Sequence, residues 1–273
     1  MGHSINAIVM GDTQSRYRTD PELIESVKSS IKGTLNVHGC DEIQGNARSK
    51  RIPEIRVINR GCLEAAQAYK GKKTAVLDFA SAFSVGGHPF SSHAQEESIC
   101  QRSTLLPCLE AQEESFYDRN HREGLASSAP KAIGTDNMLY VPGVKIFKKA
   151  TALPNGLEGA EMMDRSEWFD VDIIVSAAPH LHDERSFGEK ELMSVYKRRL
   201  GRVLDIAENQ GIEALILGAY GCGAFRNDPH LIAKAFHELL TEKEYGFDVV
   251  EFAIIYHGDS KNFDAFVGEF GNA

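Results

Sequence analysis

The chain has 273 residues, of which 42% are hydrophobic and 25% are charged, and its formal net charge at pH 7 is −9. This composition is typical of a globular protein and excludes a collagenous or disordered chain. The negative charge argues against a general nucleic-acid clamp, which needs clustered Lys and Arg. A small anionic ligand is still possible, because a few main-chain N–H donors suffice to bind it.

The sequence has no apolar run of about 18 residues, so no membrane span is expected. It also has no basic stretch followed by an apolar core at its N-terminus, which argues against a secretory signal. The five cysteines are odd in number and form no Cys-x-x-Cys pair, a pattern typical of reduced thiols. We therefore expect a cytoplasmic protein with no metal, no cofactor, and neither nucleic acid nor membrane as a partner.

The first elements along the chain are predicted from capping residues and short apolar stretches. Asp20-Pro21-Glu22 combines a helix N-cap, a Pro at the first helical position and an acidic first turn, so a helix is expected to follow. Residues 40–56 are polar and predicted to be largely irregular. A short strand is expected at Ile55–Ile58 and a helix at Leu63–Ala66. Residues 1–18 are expected to form an N-terminal extension of a single domain that spans residues 1–273.

The remainder of the chain alternates short apolar runs with longer amphipathic stretches. The runs predict buried strands at Thr74–Phe79, Val171–Ala177, Ala214–Leu217 and Val249–Tyr256. The amphipathic stretches predict helices at Ser186–Asn209, Asp228–Leu240 and Ser260–Phe270. This alternation predicts an α/β fold with a mixed or parallel sheet and helices on both faces. Ligands bind beyond the carboxyl ends of such strands, so the loops after Phe79 and Leu217 are the candidate sites.

The loop after Phe79 contains Gly86-Gly87 and leads to Gln95-Glu96-Glu97. The three residues Gln95-Glu96-Glu97 are predicted to open a helix that continues through Ile99 to Leu106. An ordinary turn and two surface acids that favour the helix dipole would explain this pattern without any chemistry. If the acids instead face a cleft, repulsion and burial keep one of them protonated, and a protonated carboxyl can act as a general acid in glycosidic cleavage.

The loop after Leu217 reads Gly218-Ala219-Tyr220-Gly221-Cys222-Gly223-Ala224-Phe225 and opens onto the helix predicted from Asp228. A glycine-rich turn before a helix N-terminus presents N–H groups to a phosphate. The loop is neither a Walker loop nor a GxGxxG fingerprint, because no Gly-Lys-Ser/Thr follows and position 226 is Arg. An ordinary glycine turn is the alternative interpretation.

Five segments of the sequence carry a family resemblance: Val76–Ala82, Gly86-Gly87, Ala94–Ser98, Leu217–Phe225 and Asn227–Pro229. Together they resemble microbial-type poly(ADP-ribose) glycohydrolases, and the resemblance extends from about residue 20 to the end of the chain. The resemblance implies a macrodomain-like three-layer sandwich with a mixed central sheet and helices on both faces. It implies that Glu97 is the catalytic acid and base and that Glu96 orients the distal ribose. The implied substrate-binding residues are Gln95, Gly86, Gly87, His88, Phe79, Ala80, Ser81, Gly221, Cys222, Gly223, Ala224 and Phe225.

Three single positions and one short segment depart from the family pattern. His88 replaces the third glycine of the family's triplet, and Ser81 stands where Asn is common. Asn59–Cys62 falls where an acidic residue often helps to read adenine, and His180 replaces the Asn of a more usual Ala-Pro-Asn. These changes affect the expectation of polymer processing more than that of ADP-ribose binding.

The resemblance therefore implies an ADP-ribosyl glycohydrolase, which cleaves an O-glycosidic ribosyl bond of a poly- or mono-ADP-ribosylated substrate and releases ADP-ribose. ADP-ribose or an ADP-ribosylated protein would be its partner. The alternative is a non-catalytic ADP-ribose reader, suggested by His88. A nucleotide hydrolase that cuts the diphosphate on the same fold is a third, weaker hypothesis.

Overall fold

The computed structural model describes residues 2–43, 50–126, 131–152, 158–183, 187–256 and 258–271. Residues 44–49 and Ser186, on which predictions also fell, lie outside these ranges. The α-helices in the described ranges are α1 (Gly2–Thr19), α2 (Pro21–Gly33), α3 (Cys62–Gln67), α4 (Gln95–Arg102), α5 (Leu105–Glu110), α6 (Asp118–Ala126), α7 (Glu189–Asn209), α8 (Pro229–Glu242) and α9 (Lys261–Phe270). The strands are β1 (Leu35–Val37), β2 (Glu54–Ile58), β3 (Thr74–Phe79), β4 (Met138–Ile146), β5 (Lys148–Ala152), β6 (Glu158–Met162), β7 (Phe169–Ser176), β8 (Ala214–Leu217) and β9 (Val249–Ala253).

The strands form a seven-stranded mixed sheet in the order β1-β4-β7-β3-β8-β9-β2, and β5 and β6 form a separate hairpin. Strands β1, β4 and β7 pair antiparallel, whereas β3, β8, β9 and β2 pair parallel. The predicted α/β class with a mixed central sheet is therefore confirmed. The chain divides into two compact units, and β3 contributes residues to both.

Unit 1 comprises residues 1–37, 78–125 and 137–176. Six successive residues of β7, from Val171 to Ser176, are buried. Neighbouring residues of a strand point to opposite faces of the sheet, so this strand is covered on both faces. Helices α2 and α5 pack against β4, and α1 packs against α2 and α4.

Unit 2 comprises residues 38–77, 126–136 and 177–273. All four residues of β8 are buried, as are the first four of β9, so these strands are also covered on both faces. Helix α3 packs against β8 and β9, α9 packs against β2, and α8 packs against both α7 and α9. The predicted strands Thr74–Phe79 and Ala214–Leu217 have the bounds of β3 and β8.

Two helices begin where their capping residues predict. The Asp20 side chain accepts a hydrogen bond from the Glu22 N–H (3.0 Å), and Pro21 is the first residue of α2. Asp228 caps α8 in the same way through the His230 N–H (2.8 Å), with Pro229 at its first position. Both caps satisfy main-chain N–H groups that have no partner within their helix.

Residues 1–18 are predicted to form an N-terminal extension, and the structure describes Gly2–Thr19 as helix α1, within unit 1. Met10 and Thr13 have no exposed surface, and Asn6 is 1% exposed. The Thr13 hydroxyl donates a hydrogen bond to the main-chain oxygen of Gln101 (2.6 Å). Helix α1 thus contributes to the buried interior beside α4.

The helix predicted from Gln95 through Leu106 is wrong in length, because α4 ends at Arg102 and α5 begins at Leu105. Ser103 between them is extended, with φ −146° and ψ −178°. Its hydroxyl donates to the Ile99 main-chain oxygen (2.7 Å) and accepts from the Leu105 N–H (3.1 Å). A serine side chain that bonds to neighbouring backbone offers an alternative to helical hydrogen bonds, and here it ends the helix.

The five cysteines are all free thiols. In the described part of the chain, no helix combines the length and the apolar character that crossing a membrane requires.

Candidate active site

The loop from Ser81 to His88 is attached at both ends to the two glutamates predicted for catalysis. The Ser81 N–H donates to Oε2 of Glu96 (2.8 Å), and the His88 N–H donates to Oε1 of Glu97 (3.0 Å). Both glutamates lie in the first turn of α4 and are buried, with 3% and 6% of their surface exposed. The alternative of two surface acids is therefore wrong.

The residue before the glutamates ties α4 to the end of β3. Oε1 of Gln95 accepts a hydrogen bond from the Phe79 N–H (2.8 Å). The next residue, Ala80, is buried and donates its N–H to the Ser176 main-chain oxygen (3.1 Å). Strand β3 thus leads directly into the loop, and the helix that carries Glu96 and Glu97 starts against its last residue.

Gly87 lies against both carboxylates and has the left-handed φ of +65°. A Cβ atom at this position would be 2.4 Å from Oε1 of Glu97 and 2.9 Å from Oε2 of Glu96. Gly86 also has a positive φ, and its Cβ would be 2.8 Å from Leu106 Cδ1. The two glycines are needed for a backbone conformation and a close approach that other residues do not tolerate.

A third carboxyl group, Asp78, belongs to the same buried cluster. Both of its oxygens, and Oε1 of Glu96, are buried without a hydrogen-bond partner. Burial, reinforced by repulsion from Glu97, raises the pKa of Asp78 well above its ordinary value. Burial and repulsion from Asp78 raise the pKa of Glu96 in the same way, although the Ser81 N–H opposes the shift. Desolvation of a buried carboxylate costs several kcal/mol and exceeds the roughly 1.5–3 kcal/mol of one hydrogen bond to a charged group, so Asp78 and Glu96 hold their protons to a higher pH than free carboxyl groups do.

Two further buried groups surround these acids. Burial raises the pKa of the Cys100 thiol, and repulsion from Glu96 and Asp78 adds to the shift. Burial raises the pKa of the Tyr117 hydroxyl in the same direction, again with Glu96 and Asp78 as contributing charges. These neutral neighbours supply no cation to balance the acids, which is consistent with the raised pKa values of Asp78 and Glu96.

The second predicted loop, in unit 2, is held from within by Asn227. The Asn227 amide nitrogen donates to the main-chain oxygens of Pro179 (2.8 Å) and Gly221 (3.0 Å). Its side-chain oxygen accepts from the buried Tyr196 hydroxyl (2.8 Å). Gly221 has a φ of +71°, and a Cβ there would be 2.5 Å from the Asn227 amide nitrogen. The loop conformation is thus fixed by buried hydrogen bonds, and glycine is required at position 221.

The other predicted residues of this loop are more accessible. Gly223 and Ala224 are exposed, and Cys222 and Phe225 are half-buried. Burial raises the pKa of Cys222 to about 12, so its thiol is protonated and is no nucleophile at neutral pH. The Phe225 ring contacts the His180 ring edge-on, with centroids 4.8 Å apart. Arg226 is exposed and has the unusual φ of +58°.

The structure thus places the predicted residues of positions 79–97 around one buried acidic cluster. Those of positions 221–225 share one ordered loop of unit 2. Within the described ranges, no group of three or more His, Cys, Asp or Glu side chains has an arrangement that would hold a metal ion.

Three residues of the candidate site were not assigned individual roles from the sequence. Asp78 is a charged residue inside a run that is otherwise apolar, and this interruption is a usable signal. Asn227 and Tyr196 carry no such signal, because they are 31 positions apart and meet only in the fold.

The chain is similar to one protein-family model and to several solved structures. Residues 4–149 match the family model for the catalytic domain of microbial-type PARG, which stands for poly(ADP-ribose) glycohydrolase. The poly(ADP-ribose) glycohydrolase of Thermomonospora curvata, solved with the inhibitor ADP-HPD, is 26% identical with a TM-score of 0.78, and the alignment covers 97% of this chain and 99% of that one. The enzyme of Deinococcus radiodurans, solved with ADP-ribose, is 29% identical with a TM-score of 0.75, over 89% and 96% of the two chains. A search of curated proteins gave no match.

Proposed function

The chain belongs to the microbial-type poly(ADP-ribose) glycohydrolase family, and from this premise we propose that it hydrolyses the ribosyl bond of ADP-ribosylated substrates with Glu97 as acid and base. One observation carries the proposal. Two adjacent, buried glutamates receive N–H groups from the two ends of one loop, and Gly87 of that loop leaves no room for a side chain beside them.

Glu97 is assigned the proton transfer because of its free oxygen. Its Oε1 accepts a hydrogen bond from the His88 N–H. Among the described residues no hydrogen bond to its Oε2 is seen, and this oxygen is not fully buried. The two oxygens of Asp78 and Oε1 of Glu96 are in that buried group. Glu97 is therefore the acid of the cluster whose second oxygen remains available to a substrate.

The reaction then takes two proton transfers. Glu97 protonates the leaving oxygen as the C–O bond to the ribosyl carbon breaks and positive charge develops on the sugar. The resulting carboxylate removes a proton from water as the water oxygen bonds to the ribosyl carbon, which returns Glu97 to its starting state. The products are ADP-ribose and the acceptor with its hydroxyl group.

Glu96 is assigned to the ribose hydroxyl groups. Its Oε2 is fixed by Ser81, whereas its Oε1 is buried with no hydrogen-bond partner in the protein. A buried polar atom without a partner is costly, and this cost favours the protonated, neutral form of the Glu96 carboxyl. Its raised pKa lets Glu96 offer an O–H donor as well as an acceptor.

The second loop is assigned to the diphosphate. Gly221, Cys222, Gly223 and Ala224 would offer main-chain N–H groups, and Phe225 would pack against the distal ribose. The support is local: a loop fixed by Asn227, with exposed residues at its tip, in front of a helix capped by Asp228. The free thiols favour a cytoplasmic location for this activity.

A non-catalytic reader is the competing function, and His88 was its motivation. The contact between His88 and Glu97 uses the main-chain N–H, while the residue itself is exposed. A side chain at position 88 is therefore compatible with the contact on which the acid depends, and this favours the enzyme.

Turnover experiments with a Glu97→Gln variant test the proposal. Protein carrying poly-ADP-ribose and protein carrying single ADP-ribose groups are incubated separately, and products are separated by chromatography. We expect ADP-ribose release by the wild type and a loss of about 10²–10⁴-fold in the variant, the usual contribution of a general acid. Equal release by both proteins refutes the role of Glu97, binding without turnover identifies a reader, and AMP identifies a diphosphate hydrolase.

A further inference from the structure

The main-chain N–H that donates a hydrogen bond to Glu97 belongs to a short turn. We define this turn, residues 88–92, as the His88 turn. His88 donates its N–H to Oε1 of Glu97 and accepts, at its main-chain oxygen, the N–H groups of Ser91 and Ser92 (both 2.9 Å). The position of this turn therefore sets the position of the hydrogen bond to the acid.

Gln101 holds the turn from the inner side. It is 6% exposed, and its amide nitrogen donates to the main-chain oxygens of Pro89 (2.7 Å) and Ser92 (3.2 Å). It lies four residues after Glu97 on α4, and residues four apart lie on the same face of a helix. One helix face thus carries the acid and, one turn further on, the amide that fixes the acid's donor.

We infer that Gln101 is a positioning residue for Glu97 and acts through the His88 turn. The inference rests on the proposed role of Glu97 as the acid. Gln101 itself is not assigned any contact with substrate.

Helix α1 supports the same turn from a second direction. The Asn6 amide donates to the Ser92 main-chain oxygen (3.1 Å), and the Thr13 hydroxyl donates to that of Gln101 (2.6 Å). The helix is itself fastened by the Lys148 ammonium, which is 1% exposed and contacts Asp12 (2.8 Å) and the Val9 main-chain oxygen (3.1 Å). Helix α1 therefore supports the His88 turn, directly through Asn6 and indirectly through Gln101.

The turn needs such anchors because its outer side faces solvent. His88 and Ser91 are exposed, and Phe90 is 44% exposed. A shift of about 1 Å would lengthen the 3.0 Å hydrogen bond to Glu97 beyond the normal range. Misplacement on this scale costs about 10²-fold in rate when it affects a reacting group.

The main test is a Gln101→Met variant, which keeps the length of the side chain and removes both N–H donors. We expect kcat to fall about tenfold to a hundredfold, while KM and the dissociation constant of ADP-ribose stay within about twofold. The matched control is Ser30→Ala, which removes a buried hydroxyl bond to the Gly143 main-chain oxygen (3.1 Å) in the same unit. This control is expected to lose stability and keep its kcat.

Wild-type kcat in Gln101→Met, or a joint loss of kcat and ADP-ribose affinity, overturns the inference. If this variant fails to fold, Asn6→Ala replaces it, because Ser92 then keeps its bond to Gln101. Asn6→Ala is expected to lower kcat more than Ser30→Ala does, and equal kcat values overturn the inference. Full activity in Glu97→Gln overturns the proposed function instead, so the two failures are distinguishable.

Discussion

Gly87 and Glu97 are so closely packed that a Cβ atom on the glycine would lie 2.4 Å from Oε1 of the glutamate. This distance is shorter than any normal contact between a carbon and an oxygen atom. The glycine and the acid are therefore one structural unit, although they are ten positions apart in the sequence.

A Gly87→Ala substitution is expected to displace Glu97 and to lower kcat/KM by at least about 100-fold. It also places alanine in a left-handed conformation, at a cost of about 1–2 kcal/mol in the free energy of unfolding. Steady-state kinetics and urea unfolding measure the two effects separately.

Gly134→Ala is the control for this prediction. Gly134 has a φ of +69°, close to that of Gly87, but no atom lies within 4 Å of its Cβ position. This variant is expected to lose similar stability from backbone strain and to keep its activity. A Gly87→Ala enzyme that is as active as Gly134→Ala contradicts the packing argument.

An Asp78→Asn substitution is expected to change how stability depends on pH. The raised pKa of Asp78 means that the folded protein binds a proton that the unfolded chain releases near pH 4. Wild-type stability therefore falls as pH rises from about 4 towards the raised pKa, by on the order of 1 kcal/mol per pH unit at most. The variant lacks this slope, so its free energy of unfolding exceeds that of the wild type increasingly above pH 4. Urea unfolding between pH 4 and pH 8 measures the difference.

Asp136→Asn provides the opposite trend. Burial alone would raise the pKa of Asp136, but the guanidinium groups of Arg198 and Arg199 hold this pKa below its ordinary value. That carboxylate stabilises the fold above pH 4, and its contribution is lost as pH falls, so its removal is expected to destabilise the protein most at neutral pH. Parallel pH trends in the two variants are incompatible with this assignment.

A Tyr196→Phe substitution is expected to weaken ADP-ribose binding through the second loop. It removes the donor to Asn227, whose amide holds Gly221 and Pro179. A buried oxygen without a partner costs about 1–3 kcal/mol of stability. If this loop holds the diphosphate, calorimetry will show the dissociation constant of ADP-ribose rising about tenfold.

The control is Tyr140→Phe in unit 1, which removes the buried hydroxyl that donates a hydrogen bond to the Asp172 carboxylate. It is expected to cost similar stability and to leave ADP-ribose affinity unchanged. If both variants bind equally well, the second loop is not the diphosphate site.

The sequence predicted the elements that have strong local signals. Strands β3 and β8 are short apolar runs between turns, and α2 and α8 start at an Asp-Pro pair. Strand β4 escaped prediction because Pro142-Gly143 interrupts it, where the pairing with β7 shifts register. Helix α1 escaped because it is anchored through polar side chains such as Asn6 and Thr13 rather than through an apolar stripe.

The candidate site was predicted as residues but not as contacts. The Gly-Gly and Glu-Glu pairs were found in sequence, and the family resemblance joined them. The clamp of the loop by Ser81 and His88 uses main-chain N–H groups, which every residue except proline has, so no residue type could reveal it. Gln101 escaped for a related reason, because its partners are main-chain oxygens.

The attachment of the Ser81–His88 loop to Glu96 and Glu97 affects how an alanine scan of this protein must be interpreted. Truncation of either glutamate to alanine removes the hydrogen bond that holds one end of the loop and also removes a carboxyl group. The cause of lost activity in an alanine variant is therefore ambiguous. Glutamine preserves the acceptor oxygen and abolishes only the acidity. A comparison of the alanine and glutamine variants at each position therefore separates the structural role of these side chains, which hold the loop, from their chemical role in the reaction.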